Sequence, residues 1–474
     1  MSPARARWGL YGIALASSAL LAPRTPVYWD AFGYINQSIT GRVGGLALGR
    51  PLFVYASHAM VTALRALGAS VWSVTPWLTA LWALVAATAA PLTHAVARAC
   101  GMDPRAALFA GAAVALSPAL AHTAGTVLTD VPSLAVTLGA FVVALRGASS
   151  PSPVRHALLA GALVGVAAGM REQAGAQGLV TLLAFRLAPR RAWLACAAAM
   201  LAGFVLAFAP PVLWAATHQR GYGMMLDTWL RGMRSERAQH PYTLGDFSAY
   251  LRWLLALGPA VTPVALAAWA RGPSRFARWS APAMAVCVPS LAQLAMLGAY
   301  QDISYSPRYL LPALPGALAL PAGVALAAWT TTRARAALAW VALTAPLAVA
   351  APLLRARESA LVRVVESLPS RLLALPPDAV VVTGQACPAV ELVRRMAEAD
   401  PARVGPVPTW ERICPGWGWP ADLDARLDRA LAQGRTVVID LRAGAWLGPR
   451  QQGVRDQVAR WHASRRHPAL VTWR

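Results

Sequence analysis

Long apolar runs, mostly Ala, Leu and Val, alternate with short polar breaks from residue 8 to residue 354. Their length and composition predict membrane-spanning helices. They lie near Trp8–Ala22, Thr75–Ala97, Ala106–Ala124, Val131–Leu145, Ala157–Met170 and Gly175–Phe185. Further runs lie near Trp193–Trp214, Leu251–Ala270, Trp279–Ala299, Leu310–Thr330 and Ala336–Leu354. The expectation is an all-α polytopic membrane domain of about eleven transmembrane helices over residues 1–354. Beyond it the period changes. Apolar β-branched runs (Ala379–Val382, Thr436–Leu441) alternate with helical patterns (Pro388–Ala399, Asp422–Gln433), which predicts a small α/β domain over residues 355–474.

Arginine sets the expected orientation. It clusters at the N-terminus (Arg5, Arg7) and then in alternate loops: Arg98 and Arg105; Arg146 and Arg155; Arg186, Arg190 and Arg191; Arg271, Arg275 and Arg278; Arg333 and Arg335. By the positive-inside rule these loops and the N-terminus are cytoplasmic, as at a bacterial-type plasma (inner) membrane. An odd number of spans then puts the C-terminal domain outside. Pro51–Leu67 is apolar, but counting it as a span would invert every later loop. With His58 and Arg65 within it, the segment reads as an amphipathic helix on the outer surface, part of a first outer loop over residues 23–74. The first run also resembles a cleavable signal peptide, and the outward orientation of the later loops survives either choice.

Composition agrees with the pattern. The 474 residues are 57% hydrophobic and only 13% charged, with mean hydropathy +0.47. That excludes a disordered chain and an ordinary cytosolic enzyme. No alternating ten-residue strands suggest a barrel. All 43 basic residues are Arg and the net charge is +23, but the charge is scattered rather than striped, so nucleic acid is not the expected partner. The stretch after Leu354 holds 12 of the 20 acids, and the preceding 354 residues hold eight. Seven of those eight fall on the outer side, Asp103 being the exception. A transporter usually places ionisable groups mid-span. Acids at outer loops and span ends suit chemistry at the water–lipid boundary instead.

Four outer clusters carry that chemistry. The first loop reads "YWDAFGYINQSITGR" around Asp30, a later turn "TVLTDVPSL" around Asp130, and the last outer loop "YQDISYSPRYLLPALP" around Arg308 and Tyr309. "GMREQAG" places Arg171 and Glu172 at a fourth outer turn. Each has a bland reading beside the chemical one. Asp30 and Asp130 suit helix N-termini, Arg308 suits snorkelling to headgroups, and Arg171–Glu172 suits a structural pair. The basic stretch His218–His240 suits lipid headgroups, an anionic acceptor or a solvated face, and Trp417 and Trp419 suit sugar stacking or loop packing. Cys387 and Cys414 both fall in the tail, open to pairing or to burial as free thiols, whereas Cys100, Cys196 and Cys287 lie in or beside spans.

At these residues the sequence resembles the GT-C superfamily of integral-membrane glycosyltransferases, in the branch of protein O-mannosyltransferases and lipid A aminoarabinose transferases. The likeness rests on Asp30 trailed by Tyr34, "GRPLF" at Gly49–Phe53, "SP…LTDVP" at Ser117–Pro132 and "PRYLLPALP" at Pro307–Pro315, in that order. Two positions depart: Ala31 follows Asp30 where many relatives carry a second acid, and Pro132 leaves Asp130 without a paired acid. The resemblance implies an inverting transfer of a hexose or pentose from a polyprenyl-phosphate-linked sugar to a hydroxyl-bearing acceptor (lipid, polysaccharide or protein) at the outer face. Asp30 would be the general base. Arg308 and Arg171 would meet the phosphate, Tyr309 and Tyr34 would donate hydrogen bonds or line the sugar pocket, and Asp130 would orient the acceptor or hold a basic partner, with Glu172 nearby. No cofactor is implied, and the missing acid beside Asp130 argues against a divalent metal. The rival class is a non-catalytic transporter or flippase for a lipid-linked saccharide, which internal repeats and mid-span charges would favour; neither is seen.

Overall fold

The computed structural model describes residues 2–44, 48–175, 181–182, 184–187, 190–228, 231, 254–270, 307–384, 386–404, 407–415, 422–446 and 449–474. Contacts gather them into two compact units. The first comprises Met1–Ala22, Arg42–Ala56 and Thr79–Pro352; the second comprises Pro23–Gly41, Ser57–Leu78 and Leu353–Arg474.

The first unit is helical. Its helices are α1 (Pro3–Leu21), α5 (Ala89–Ala99), α6 (Pro104–Ala115), α7 (Pro118–Ala124), α8 (Asp130–Ala148), α9 (Pro153–Met170), α10 (Arg190–His218), α11 (Val261–Ala270) and α12 (Leu320–Trp329). The helices α2 (Trp29–Thr40), α3 (Pro51–Ala66), α4 (Val74–Ala87) and α13 (Arg333–Leu373) complete the run to residue 373. Neighbours pack in the order α10, α9, α8, α5, α6, α12, α11, with α1 against α5, α6 and α7. Small residues permit the tightest of these contacts. A Cβ on Gly161 of α9 would run into the Met200 carbonyl of α10, and one on Gly203 into the Leu158 carbonyl. Gly161, Gly165 and Gly169 recur every fourth residue along one face of α9, the spacing that lets membrane helices approach backbone to backbone.

Five described helices are long and apolar enough to cross a membrane, or six if a bent pair counts as one span: Val71–Ala99, Asp130–Ala148, Pro153–Met170, Ala192–His218 and Arg333–Leu373, with α6 plus α7 as the bent pair. The expected single span Ala106–Ala124 is therefore two pieces meeting at 56°. Pro118 has no N–H to continue the ladder, and Ser117 Oγ accepts from Leu120 N to start the second piece. The expected span Ala336–Leu354 instead belongs to a helix of 41 residues, because no Gly interrupts it and Arg355–Leu373 keeps helical composition. The expected span Trp279–Ala299, with Cys287, lies outside the described residues; Gly175–Phe185 and Leu251–Ala270 are described in part. Large apolar side chains on α10 (Leu194, Leu206, Leu213) and α13 (Leu338, Val341, Val349, Leu353) stay exposed, which water would penalise and hydrocarbon would not.

The second unit contains a four-stranded, wholly parallel sheet: β1 (Val380–Val382), β2 (Glu411–Ile413), β3 (Val437–Asp440) and β4 (Leu470–Trp473), in spatial order β2-β1-β3-β4. Val380 pairs with Glu411 on one side and Val437 on the other. The central strands are buried on both faces, as their unbroken Val/Ile runs require. Helices α14 (Cys387–Ala399), α15 (Leu423–Ala432) and α16 (Pro449–Ala463) accompany the sheet, and α14 packs against α2. Cys387 and Cys414 form a disulfide, with Cα atoms 5.7 Å apart. In open parallel sheets ligands favour the crevice where strand order reverses, here between β1 and β3. Chain fills that place: Trp446 lies directly against Gly384, and buried Asp440 takes hydrogen bonds from Arg442 (2.8 Å) and Thr383 (3.0 Å). Trp417 and Trp419 lie outside the described residues.

Candidate active site

In the first unit, the start of α8 and the turn after α9 bring opposite charges together. Asp130 is the first residue of α8, with Thr129 as its cap, and its carboxylate does not cap the helix. It takes an ion pair from the Nη1 of Arg171 instead, with both side chains at most 6% exposed. Arg171 can reach because α9 ends there: its backbone turns extended while its N–H still donates to the Ala167 carbonyl at 2.8 Å. Its Nε donates to Gln173 Oε1 at 2.8 Å, which fixes the guanidinium plane.

The adjacent Glu172 turns the other way. It receives a two-pronged contact from Arg50, Nε to Oε2 at 2.8 Å and Nη2 to Oε1 at 3.0 Å, the strongest geometry available to a guanidinium and a carboxylate. Burial alone would raise the Glu172 pKa, but the Arg50 charge and hydrogen bonds outweigh it and hold the carboxyl below its ordinary value. Gly49 gives this approach room, since a Cβ there would stand 3.3 Å from Glu172 Oε2 and press it aside. Arg171 and Glu172 are thus not paired with each other, as one reading of the sequence had it; each pairs across the fold. Arg50, the second residue of the "GRPLF" run, was not singled out by the sequence. Its signal there was a lone Arg between Gly and Pro ahead of an apolar helix.

Arg308 completes the group. It sits in the 3₁₀ turn Pro307–Leu310, followed by a π-helical turn over Leu314–Ala319, a distortion of the ladder frequent at functional sites. Arg308 is buried, and it lines one small pocket with Asp130, Ser133, Leu134, Arg171 and Pro312. The charges of Arg308 and Arg50 both bear on Asp130. Among the described residues the cluster therefore holds three guanidiniums and two carboxylates, one positive charge in excess, beside a pocket with a hydroxyl (Ser133) and apolar walls. Such a site suits an anion.

Tyr309 occupies the same turn as Arg308. Asp30 and Tyr34 lie elsewhere, on α2 in the second unit, four residues apart and so on one helix face. Asp30 is half-buried in the first turn of α2, with Tyr28 as the cap, and Tyr34 is fully buried. α2 ends at Gly41, whose positive φ of 66° suits a residue without Cβ, and the His58 ring crowds that position. Asp302 and Asp246 fall outside the described residues, as do residues 229–230 and 232–240 of the basic stretch His218–His240. Among the described residues no three His, Cys, Asp or Glu side chains gather as metal ligands.

No family model and no curated relative matches the sequence. Solved structures match in fold. ArnT from Cupriavidus metallidurans, bound to undecaprenyl phosphate, aligns with a TM-score of 0.56 at 16% identity, over 85% of this chain and 89% of that one. The archaeal oligosaccharyltransferase AglB from Archaeoglobus fulgidus, in complex with an inhibitory peptide and a dolichol-phosphate, aligns with a TM-score of 0.53 at 13% identity, over 82% of this chain and 63% of that one. The order of apolar helices, the buried charge cluster and these alignments converge: the chain has the fold of the GT-C membrane glycosyltransferases.

Proposed function

We propose that this chain transfers a sugar from a polyprenyl-phosphate donor to a hydroxyl acceptor at the outer face of the membrane. The observation that carries the reading is the excess positive charge of Arg171 and Arg308 over Asp130 lining one small pocket, with the Arg50–Glu172 pair next to it in sequence at Arg171. Its support is that ArnT binds undecaprenyl phosphate and AglB a dolichol-phosphate in the same fold. In this reading Arg308 meets the donor phosphate, Tyr309 beside it serves the sugar, and Arg171, locked by Asp130 and Gln173, presets the field. Holding the carboxylates on Arg partners keeps them from opposing an incoming phosphate.

Asp30 acts as the general base. The acceptor oxygen attacks the anomeric carbon from the face opposite the phosphate, and its proton passes to the Asp30 carboxylate. The C–O bond to phosphate breaks, and polyprenyl phosphate leaves with both electrons, its new charge met by the guanidiniums. The anomeric configuration inverts. Tyr34, one turn along α2, orients Asp30 or the sugar. The N-terminus is cytoplasmic and the tail external. The experiment is mass spectrometry of envelope glycans from cells with and without the protein. Loss of one sugar substituent, with its polyprenyl-linked form accumulating, is expected. Unchanged glycans and unchanged lipid-linked sugar would contradict the proposal.

A further inference from the structure

A second cavity opens on the first unit, between α1, α5, α8 and α9. It is an open cleft of about 440 Å³, within the range of ligand clefts, and its walls include Leu92, Val136, Gly139 and Leu163, with Arg7 and Arg146 as its charged residues. Arg146 lies 16 residues along α8 from Asp130, about 24 Å at 1.5 Å per residue, so these arginines stand at the far end of the helix from the candidate active site. No carboxylate lines the cavity, and among the described residues neither arginine has a carboxylate partner. Both guanidiniums are exposed, whereas the wall residues are half-buried or buried. A Cβ on Gly139 would meet nothing within 4 Å, so the space beside α8 is open.

An apolar trough running from Val136 to Arg146, about 15 Å long, with exposed cations on its lining matches one occupant in shape and charge: a lipid with an anionic head, one of its acyl chains in the trough. We propose that this trough is a binding site for an anionic phospholipid of the leaflet on the side of the α1 N-terminus, an acyl chain lying along Leu92, Val136, Gly139 and Leu163 and the phosphate bridging Arg7 and Arg146. Arginine supplies planar paired donors to phosphate, and the acyl chain gains from contact with walls it fits better than a disordered neighbour does. This site is separate from the donor pocket and stands whether or not the proposed transfer is correct.

The test uses the full-length protein reconstituted in vesicles of equal phosphatidylglycerol and phosphatidylcholine, then released and examined by native mass spectrometry for retained lipid. The wild type should keep phosphatidylglycerol over phosphatidylcholine by about tenfold, and Arg7→Gln with Arg146→Gln should bring the ratio near one. Gly139→Leu, which leaves both charges but fills the trough, should lower retention of phosphatidylglycerol to a similar degree. Equal retention of the two lipids by the wild type, or phosphatidylglycerol kept by the double arginine variant, overturns the proposal. If the double variant does not assemble, Gly139→Leu decides alone: undiminished phosphatidylglycerol overturns the site, and its loss supports it.

Discussion

Asp130 and Arg171 have left water together, and each now depends on the other. Removing one partner of such a pair leaves an uncompensated buried charge and costs roughly 3–5 kcal/mol. Arg171→Leu should therefore lower the unfolding midpoint in detergent steeply, whereas Asp130→Asn combined with Arg171→Gln should recover part of the loss. An Arg171→Leu melt like the wild type would remove the pair from the account. The sequence marked both residues as functional candidates but could not match them, because they stand 41 positions apart. Arg50 and Glu172 stand 122 apart, and nothing local in the Gly-Arg-Pro run distinguishes a buried partner from a loop cation. Charged residues can be seen in a sequence; which of them neutralise one another is decided by helix packing. Elsewhere in the second unit, Glu391 and Glu411 would be raised by burial, but hydrogen bonds from Arg394, and from Arg435 and Arg426, hold them below the usual carboxylate range; Asp428 is lowered chiefly by its hydrogen bonds from Arg465. Carboxyls depressed in the fold contribute stability above their unfolded pKa, about 4, and lose it as pH falls through the folded value. Denaturant midpoints should hold from pH 7 to about 5 and decline below about 4. A flat profile from pH 5 to 3 would mean these pairs contribute nothing.

Among the elements, helices were legible where apolar runs end at cappers or breakers. α14 starts within a residue of the pattern at Pro388–Ala399 because Pro388 sits in its first turn. Where the period continued through a change of environment, the sequence misjudged the end: α13 runs to Leu373, 19 residues past the apolar stretch, since helix propensity does not stop with hydrophobicity. The α6–α7 break was hidden because the apolar run continues from one piece into the other. The α9–α10 contact gives a direct check. Gly161→Leu places a side chain where the Met200 carbonyl already lies, so it should reduce the yield of folded protein or lower its midpoint by several degrees, while Gly139→Leu, in open space, should change the stability by no more than about 0.5 kcal/mol. Comparable melts for the two would contradict the close packing. The Cys387–Cys414 bond ties the start of α14 to the segment after β2 across 27 residues. Closing a loop of that length limits the unfolded chain by about 3–4 kcal/mol in the entropy model. Cys387→Ser with Cys414→Ser should be less stable by that order in denaturant titration, and an unchanged midpoint would show that the packing of α14 alone suffices.

At the scale of the whole molecule, hydropathy conveyed the membrane class, and the order of four weak motifs conveyed the fold that alignment to ArnT and AglB then met. What hydropathy could not convey is how residues 23–41 and 57–78, which it assigns to an outer loop with a surface helix and, from Thr75, to a span, gather with the tail into one unit. That grouping depends on contacts between segments over 300 positions apart, such as Arg65 donating to the Ala399 carbonyl at 2.9 Å. Asp30 belongs to that unit and the arginine cluster to the other. The measurement that tests the central claim most directly is turnover by purified full-length protein in vesicles, supplied with a polyprenyl-phosphate sugar and envelope acceptor lipids, with free polyprenyl phosphate and glycosylated acceptor followed together by mass spectrometry. The account predicts that both products rise in step and that Asp30→Asn slows them by about 10²-fold or more with donor binding retained. Intact donor moving across the bilayer with neither product formed, or wild-type turnover by Asp30→Asn, would contradict it.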